Sequence, residues 1–285
     1  MAILTVNAGS SSLKFSIYPT KQGSVLPSIL SGSFEGLEPG GKTELRYAYQ
    51  GVEHAEHFED VGQDPFIAAL MHLKELLLEI KGLPSIRAVS HRIVHGGSEF
   101  FRPIVSTDVI LEKLSAMSAL APLHQPHSLD GVKAFSQVFP GIPQVLCFDT
   151  AFHKTMSHLE TSLALPKEIT DQGVRRYGFH GISYQYIIGE LNENSNRAKD
   201  KVLMAHLGNG ASLCAAIDGK SVATTMGFSA LDGLMMGTRS GSLDAGVLMY
   251  LVERGYTYDQ LQDLLYRKSG LLGVSTISIA KACKP

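Results

Sequence analysis

Three arginines stand on loops framed by small residues: Arg92 in HRIVHGG, Arg176 in RRYGFHG and Arg239 in MGTRSGS. A planar guanidinium held by glycines suits bidentate recognition of a carboxylate or a phosphate. Asp149 follows the apolar run 143–148, so a buried strand would deliver it to its C-terminal end, where ligands sit in open α/β sheets. There it could be a general base, organise a metal or cap a helix. His180, between Phe179 and Gly181, could donate a hydrogen bond to charge developing on a transferring phosphoryl group. Such a set fits phosphoryl transfer, which needs alignment and positive charge more than covalent help, usually with Mg2+. It fits glycoside hydrolysis poorly, because no second carboxylate occupies an equivalent place. His54, His57, His72 and His158 read as structural or surface residues, and Met235-Met236 as packing.

Two similar stretches must position this chemistry. Residues 2–18 read as a strand, a small polar turn rich in hydroxyls (Asn7 to Ser12) and an alternating strand, which is a β-hairpin pattern. The turn is small enough to aim backbone N–H groups at an anion, and Lys14 adds a point charge close by. The pattern recurs at 202–218, where an offset of 200 puts Leu203 on Ile3, Ser212-Leu213 on Ser12-Leu13 and Ile217 on Ile17. The second turn runs from His206 to Ser212 through Gly208, Asn209 and Gly210. Two related domains that face each other, with both turns clamping a polyphosphate, are the expectation; two ordinary glycine turns are the plainer alternative.

The rest of the chain supplies alternating elements. The pattern predicts a strand at 28–35 and a helix from the Asp64-Pro65 start to Ile80. It continues with a strand at 86–94, a helix at 107–119, a proline-broken loop at 120–127 and a short helix at 132–139. Beyond Asp149 it predicts a helix capped by Ser183 and running to about Asn194, a strand at 221–227 and helices at 244–253 and 257–268. Strands alternating with helices argue for an α/β protein, divided into domains 1–150 and 151–285.

With 25 basic and 27 acidic residues in 285, the chain carries no block that suggests nucleic acid or an anionic membrane. No segment nears the ~20 apolar residues of a membrane span, and no basic leader precedes the first apolar run. Cys147, Cys214 and Cys283 are too scattered for a disulfide framework or a zinc site. The expectation is a cytoplasmic protein.

Taken together, NAGSSSLKF, HRIVHGG, APLHQP, FDTAFH, RRYGFHG, HLGNGAS and MGTRSGSLD occur in the order found in the acetokinase family, which this chain resembles from Ala2 to about Ser275. The resemblance implies the larger actin, hexokinase and heat-shock ATPase fold. It would have two ribonuclease-H-like (actin-type) α/β domains with mixed sheets flanked by helices, the second incomplete. It implies reversible transfer of a phosphoryl group between ATP and acetate, giving acetyl phosphate and ADP, with Mg2+ or Mn2+, in a homodimer. By the same resemblance Asn7 helps hold the metal, while Ser10, Ser12, Lys14, His206, Leu207, Gly208, Asn209 and Gly210 serve the nucleotide. Arg92 binds the carboxylate, Asp149 is the proton acceptor or donor, and His180 and Arg239 steady the transition state. Val94, Leu123 and Phe179 line the pocket for the acetate methyl, with His124 nearby.

Some positions depart from the family pattern. Ala230 stands where the family usually has a pocket-lining proline, and a wider pocket could admit propionate. Tyr184 replaces a usual histidine, and Gln125, His127 and Ser128 replace the usual loop residues. After Ser275 the run TISIAKACKP stands where the family carries an adenosine-holding Asp and Arg, with Ala280 and Ala282 near their places. The later glycine-rich turn, metal-binding Glu and C-terminal helix do not follow. The expectation is a truncated chain, with a frameshift near Thr276 as the proposed origin, and with propionate kinase and an impaired remnant that binds acyl phosphate or a full-length partner as alternatives.

Overall fold

A computed structural model describes residues 1–9, 11–38, 41–58, 64–118 and 125–275. The chain divides into two compact units, Met1–Gly96 with Arg102–Phe148, and Gly97–Phe101 with Asp149–Pro285.

In the first unit β1 (Ala2–Ala8) and β2 (Ser12–Lys21) form the antiparallel hairpin that the alternation predicts, with Val6 opposite Phe15 and Asn7 opposite Lys14. Period two sends Leu4, Val6, Leu13, Phe15 and Ile17 into the core. Four strands follow in sequence: β3 (Ser24–Val25), β4 (Leu30–Glu35), β5 (Thr43–Tyr49) and β6 (Val52–Phe58). Then come β7 (Ile86–Ile93), β8 (Ile104–Val105) and β9 (Gln144–Phe148). Among the described residues the sheet runs β6-β5-β4-β2-β1-β7-β9-β8, with β3 paired to β2. The β1–β7 and β7–β9 pairs are parallel and the others antiparallel, so the sheet is mixed.

Three helices accompany this sheet: α1 (Pro65–Glu79), α2 (Asp108–Ala116) and α3 (Gln125–Val138). The Asp64 carboxylate accepts from the Phe66 and Ile67 N–H groups, at 2.8 and 3.3 Å, and Pro65 takes the first helical position. Leu70 and Leu73 of α1 and Phe135 of α3 join the strand side chains in one core. Complete burial of each such side chain contributes about 1.5–3 kcal/mol.

Three of the differences from the sequence reading have a plain physical cause. α3 begins at Gln125, seven residues before the predicted helix, because Pro126 falls in the first turn, where no backbone N–H is needed. β5 and β6 have no counterpart in the predicted elements. Val52 through His57 are exposed, so β6 lacks the inward alternation that marks a strand. The Gln50-Gly51 turn, with both φ values positive, joins them.

In the second unit a 3-10 turn (Ala151–Thr155) precedes the short helices α4 (His158–Thr161) and α5 (Lys167–Thr170), then α6 (Gly181–Asn194). After a 3-10 turn at Asn196–Lys199, an antiparallel sheet joins β10 (Lys201–Leu207), β11 (Ala211–Ile217) and β12 (Lys220–Thr224) in that order. α7 (Ala245–Glu253), α8 (Tyr258–Arg267) and α9 (Gly270–Ser275) complete the described residues. A capping box between Thr257 and Gln260 starts α8. Tyr184 and Ile188 of α6 pack on Met204, Cys214 and Ala216 of the sheet.

The third difference concerns the repeat. In β1–β2 Asn7 pairs Lys14, whereas in β10–β11 Leu207, at the matching position, pairs Ala211, so the second hairpin folds back three residues sooner. Inward positions of β11 are therefore even-numbered (Ser212, Cys214, Ala216), and Ile217 is 44% exposed where Ile17 is fully buried. A slip by an odd number of residues reverses every side chain, and the offset of 200 fails from the turn onward.

Two imidazoles in the first unit tie its stability to pH. Burial pushes both His91 and His95 down to about 4, against a hydrogen bond from His91 Nε2 to Gln144 Oε1 at 2.6 Å that opposes the shift for His91. The unfolded chain binds these protons near pH 6.5, so the unfolded state takes up more protons across pH 6.5 to 4 and stability falls as pH falls. Denaturant titrations should show a loss of about 2 kcal/mol per histidine between pH 7 and pH 5. Equal stability at the two pH values would contradict the burial of neutral imidazoles.

Candidate active site

The first unit gathers part of the expected set where β1 and β7 end. Asn7 sits opposite Lys14 in the hairpin register, and Gly9 N–H donates to the Ser12 carbonyl at 2.8 Å to close the turn. Arg92, near the end of β7, donates from Nη1 to Asn7 Oδ1 at 3.4 Å. Val94 lies just past β7, half-buried. The Gln125 side chain accepts from His95 N–H at 3.2 Å and donates to the His95 carbonyl at 2.9 Å. This first residue of α3 therefore clamps the backbone three residues beyond Arg92, a contact that a reading of 120–127 as loop does not suggest. Ser10, Leu123 and His124 lie outside the described residues.

Among the described residues, no group of three His, Cys, Asp or Glu side chains could hold a metal. The donor available is the hard amide oxygen of Asn7, beside a guanidinium. That fits a divalent ion that arrives with phosphate oxygens and water rather than one caged by the protein.

In the second unit Asp149 is 1% exposed, and its carbonyl accepts from Gly181 N–H at 2.8 Å. The cap position of the following 3-10 turn belongs to Thr150. His153 is buried, with Nδ1 2.9 Å from Ser221 Oγ and Nε2 donating to the Phe179 carbonyl at 2.9 Å. Burial pushes its imidazole below the usual range, against the opposing pull of the Phe179 carbonyl and of Asp149. Phe179 itself is buried.

Arg176 differs from the fork expected of it. Its Nη1 donates to the carbonyls of Thr224 and Met226, at 3.3 and 3.2 Å, which ties the loop to the end of β12. Nor is Ser183 the cap of α6. His180 holds that position in the left-handed region, φ 59°, with no side-chain cap bond. Such a backbone conformation is uncommon outside glycine and concentrates at functional sites.

His180 lies against His206, their rings stacked with centroids 4.1 Å apart. Ser183 Oγ is 3.0 Å from His206 Nδ1, and Ser212 Oγ is 2.8 Å from His180 Nδ1. Of the turn that follows, Leu207 is 74% exposed, Gly208 N–H donates to the Gly210 carbonyl at 3.1 Å, and the Asn209 carbonyl accepts from Gly237 N–H at 3.1 Å. Gly210 faces both functional groups. A Cβ there would stand 2.7 Å from Arg239 Nη2 and 3.4 Å from His180 Nε2. Arg239 is oriented by its other terminal nitrogen, Nη1, which donates to the Ala230 carbonyl at 2.6 Å.

The Arg239 loop is held from behind by the α8–α9 corner. Thr238 Oγ1 donates to the Tyr266 carbonyl at 2.9 Å, and Ser269 N–H donates to the Thr238 carbonyl at 3.0 Å. Leu271 and Leu272, in the first turn of α9, donate to the carbonyls of Met236 and Gly237, at 2.8 and 2.9 Å. Otherwise unpaired helix N–H groups are thus satisfied by the loop that presents the arginine. The second unit brings His180, His206, Gly210 and Arg239 together; the first brings Asn7, Lys14 and Arg92 to one end of its sheet.

These features define an α/β protein of two units, each with a strand–turn–strand element and cationic or imidazole side chains near its turn. The chain belongs to the acetokinase family, whose model matches residues 2–282. It is 44% identical to an acetate kinase of Rhodopseudomonas palustris over 97% of this chain and 70% of that protein. The structure of a propionate kinase from Francisella tularensis matches with a TM-score of 0.87 and 36% identity, over 96% of this chain and 70% of that one. The Porphyromonas gingivalis acetate kinase structure matches with a TM-score of 0.81 and 37% identity, over 97% and 70%. Among the described residues no helix is long and apolar enough to cross a membrane.

Gly270 opens α9 at φ 65°, and a Cβ there would meet the Met236 carbonyl oxygen and stand 2.6 Å from that of Arg239. Gly270→Ala should therefore lower stability by roughly 1–3 kcal/mol in denaturant titration, through strain and displacement of the loop. An unchanged midpoint would contradict the clasp.

Proposed function

We propose that this chain is an ATP-dependent carboxylate kinase of the acetate type. A carboxylate oxygen of acetate attacks the terminal phosphorus of ATP, the bond to the ADP oxygen breaks, and acetyl phosphate and ADP leave; the reverse reaction makes ATP. The observation that carries this reading is the meeting of Arg239 Nη2 and His180 Nε2 on the bare backbone of Gly210, in a chain of the acetokinase family. Two donors converging on one small space suit a phosphoryl group whose equatorial oxygens carry the developing charge.

In this reading Arg239 and His180 donate to the transferring group, and Asp149 accepts or gives the proton. Lys14, Ser10, Ser12 and the turn His206, Leu207, Gly208, Asn209 and Gly210 hold the nucleotide. Arg92 takes the substrate carboxylate by its fork, and Val94, Leu123, His124 and Phe179 surround the methyl group. Mg2+ or Mn2+ would come with the nucleotide, with Asn7 as its protein ligand; when bound it neutralises phosphate charge. A cytoplasmic homodimer completes the reading. α7, a run of mostly apolar residues with none buried, supports self-association.

Propionate is the second candidate substrate. Small Ala230, whose carbonyl fixes Arg239, and the match to a propionate kinase favour it.

The test is ATP formation from ADP, a divalent metal and acetyl phosphate, with propionyl phosphate in parallel. Turnover is expected, with Arg239→Ala lowering kcat at least about a hundredfold, as loss of a transition-state donor does. A higher kcat/KM for propionyl phosphate would make propionate the substrate. Folded protein without turnover, or a variant as active as the parent, would overturn the kinase reading and leave at most a binding role.

A further inference from the structure

The reading above gives Tyr184 no role, yet this residue is fully buried among Ile188, Met204, Cys214 and Ala216. A phenol in such a core needs a partner for its hydroxyl. Its Oη lies 2.5 Å from Ser212 Oγ, and Ser212 Oγ lies 2.8 Å from His180 Nδ1. Tyr184 stands one turn beyond His180 on α6, and Ser212 is the fully buried residue paired with His206 across β10 and β11. Two elements distant in sequence thus complete a chain of three polar groups that ends on the imidazole.

The direction of this chain follows from its donors. Among the described residues the phenol proton has one acceptor, Ser212 Oγ. A serine hydroxyl carries one proton. Having accepted from Tyr184, Ser212 donates to His180 Nδ1. The imidazole proton then sits on Nε2, the nitrogen facing Gly210 and Arg239. The opposite order would put the proton on Nδ1 and leave that of the phenol without an acceptor, and a serine that accepted from both neighbours would leave its own proton without one among the described residues.

We propose that Tyr184, acting through Ser212, is a positioning residue that holds His180 as its neutral Nε2–H tautomer, ready to donate to a phosphoryl oxygen. The catalytic consequence rests on the role given to His180 above; the tautomer does not.

The test is long-range proton–nitrogen NMR of the full chain labelled with 15N-histidine, which distinguishes the two neutral tautomers. The parent should show His180 protonated at Nε2. Tyr184→Phe keeps the ring and its packing, and Ser212→Ala removes the link; each should raise a measurable Nδ1–H population, with folding checked by thermal melting. Where the chain turns over, Tyr184→Phe should lower kcat roughly tenfold with KM within about twofold, since one orienting bond to a proton donor is lost. A parent protonated at Nδ1, or a tautomer unchanged in both folded variants, overturns the relay. His180→Ala separates the two levels. If it turns over like the parent while the tautomer shifts in Tyr184→Phe, the role given to His180 fails and the relay stands.

Discussion

The second unit's site depends on a side chain that is not there. Gly210 lets a guanidinium and an imidazole lie against the same stretch of backbone, at distances a methyl group would close. Each of the two is then held by something else. Arg239 is turned by the Ala230 carbonyl, and its loop is clasped by the first turn of α9. His180 is fixed at the start of α6 in a left-handed conformation and stacked on His206. Positive charge and a hydrogen-bond donor therefore meet without depending on each other for support. That is the requirement of phosphoryl transfer, where preorganised donors matter more than a nucleophile.

The first unit solves a related problem with a sheet. Parallel pairing of β1 and β7 brings Asn7 and Arg92 to the same end, and the antiparallel hairpin sets Lys14 across from Asn7. These positions follow from register, and register follows from the alternation of Leu4, Val6, Leu13, Phe15 and Ile17 into the core. Buried His91 and His95 flank Arg92, one in β7 and one just beyond it, so the unit that carries this arginine is also the one whose stability is tied to pH.

Much of this was legible in the residues, and the exceptions have physical causes. The first hairpin and the start of α1 could be read because period two and an Asp-Pro cap are local signals. β6 could not, since a strand exposed from Val52 to His57 does not show an inward face. α3 started early because Pro126 is harmless in a first turn. Functional motifs led to His180, Gly210 and Arg239, which the second unit brings together, while Arg176 in the same kind of motif bonds the carbonyls of Thr224 and Met226. The Tyr184–Ser212 link was illegible for a different reason: 28 residues separate its ends, and only the packing of α6 on β11 brings them together.

The central claim is that Arg239 and His180 act on one transferring group. A double-mutant cycle on turnover, with Arg239→Ala, His180→Ala and the pair, tests it most directly. Residues that serve one group are coupled, so the account predicts that the double variant loses little more than the worse single variant. Losses that multiply in full would mean that the two residues act independently, and would contradict it.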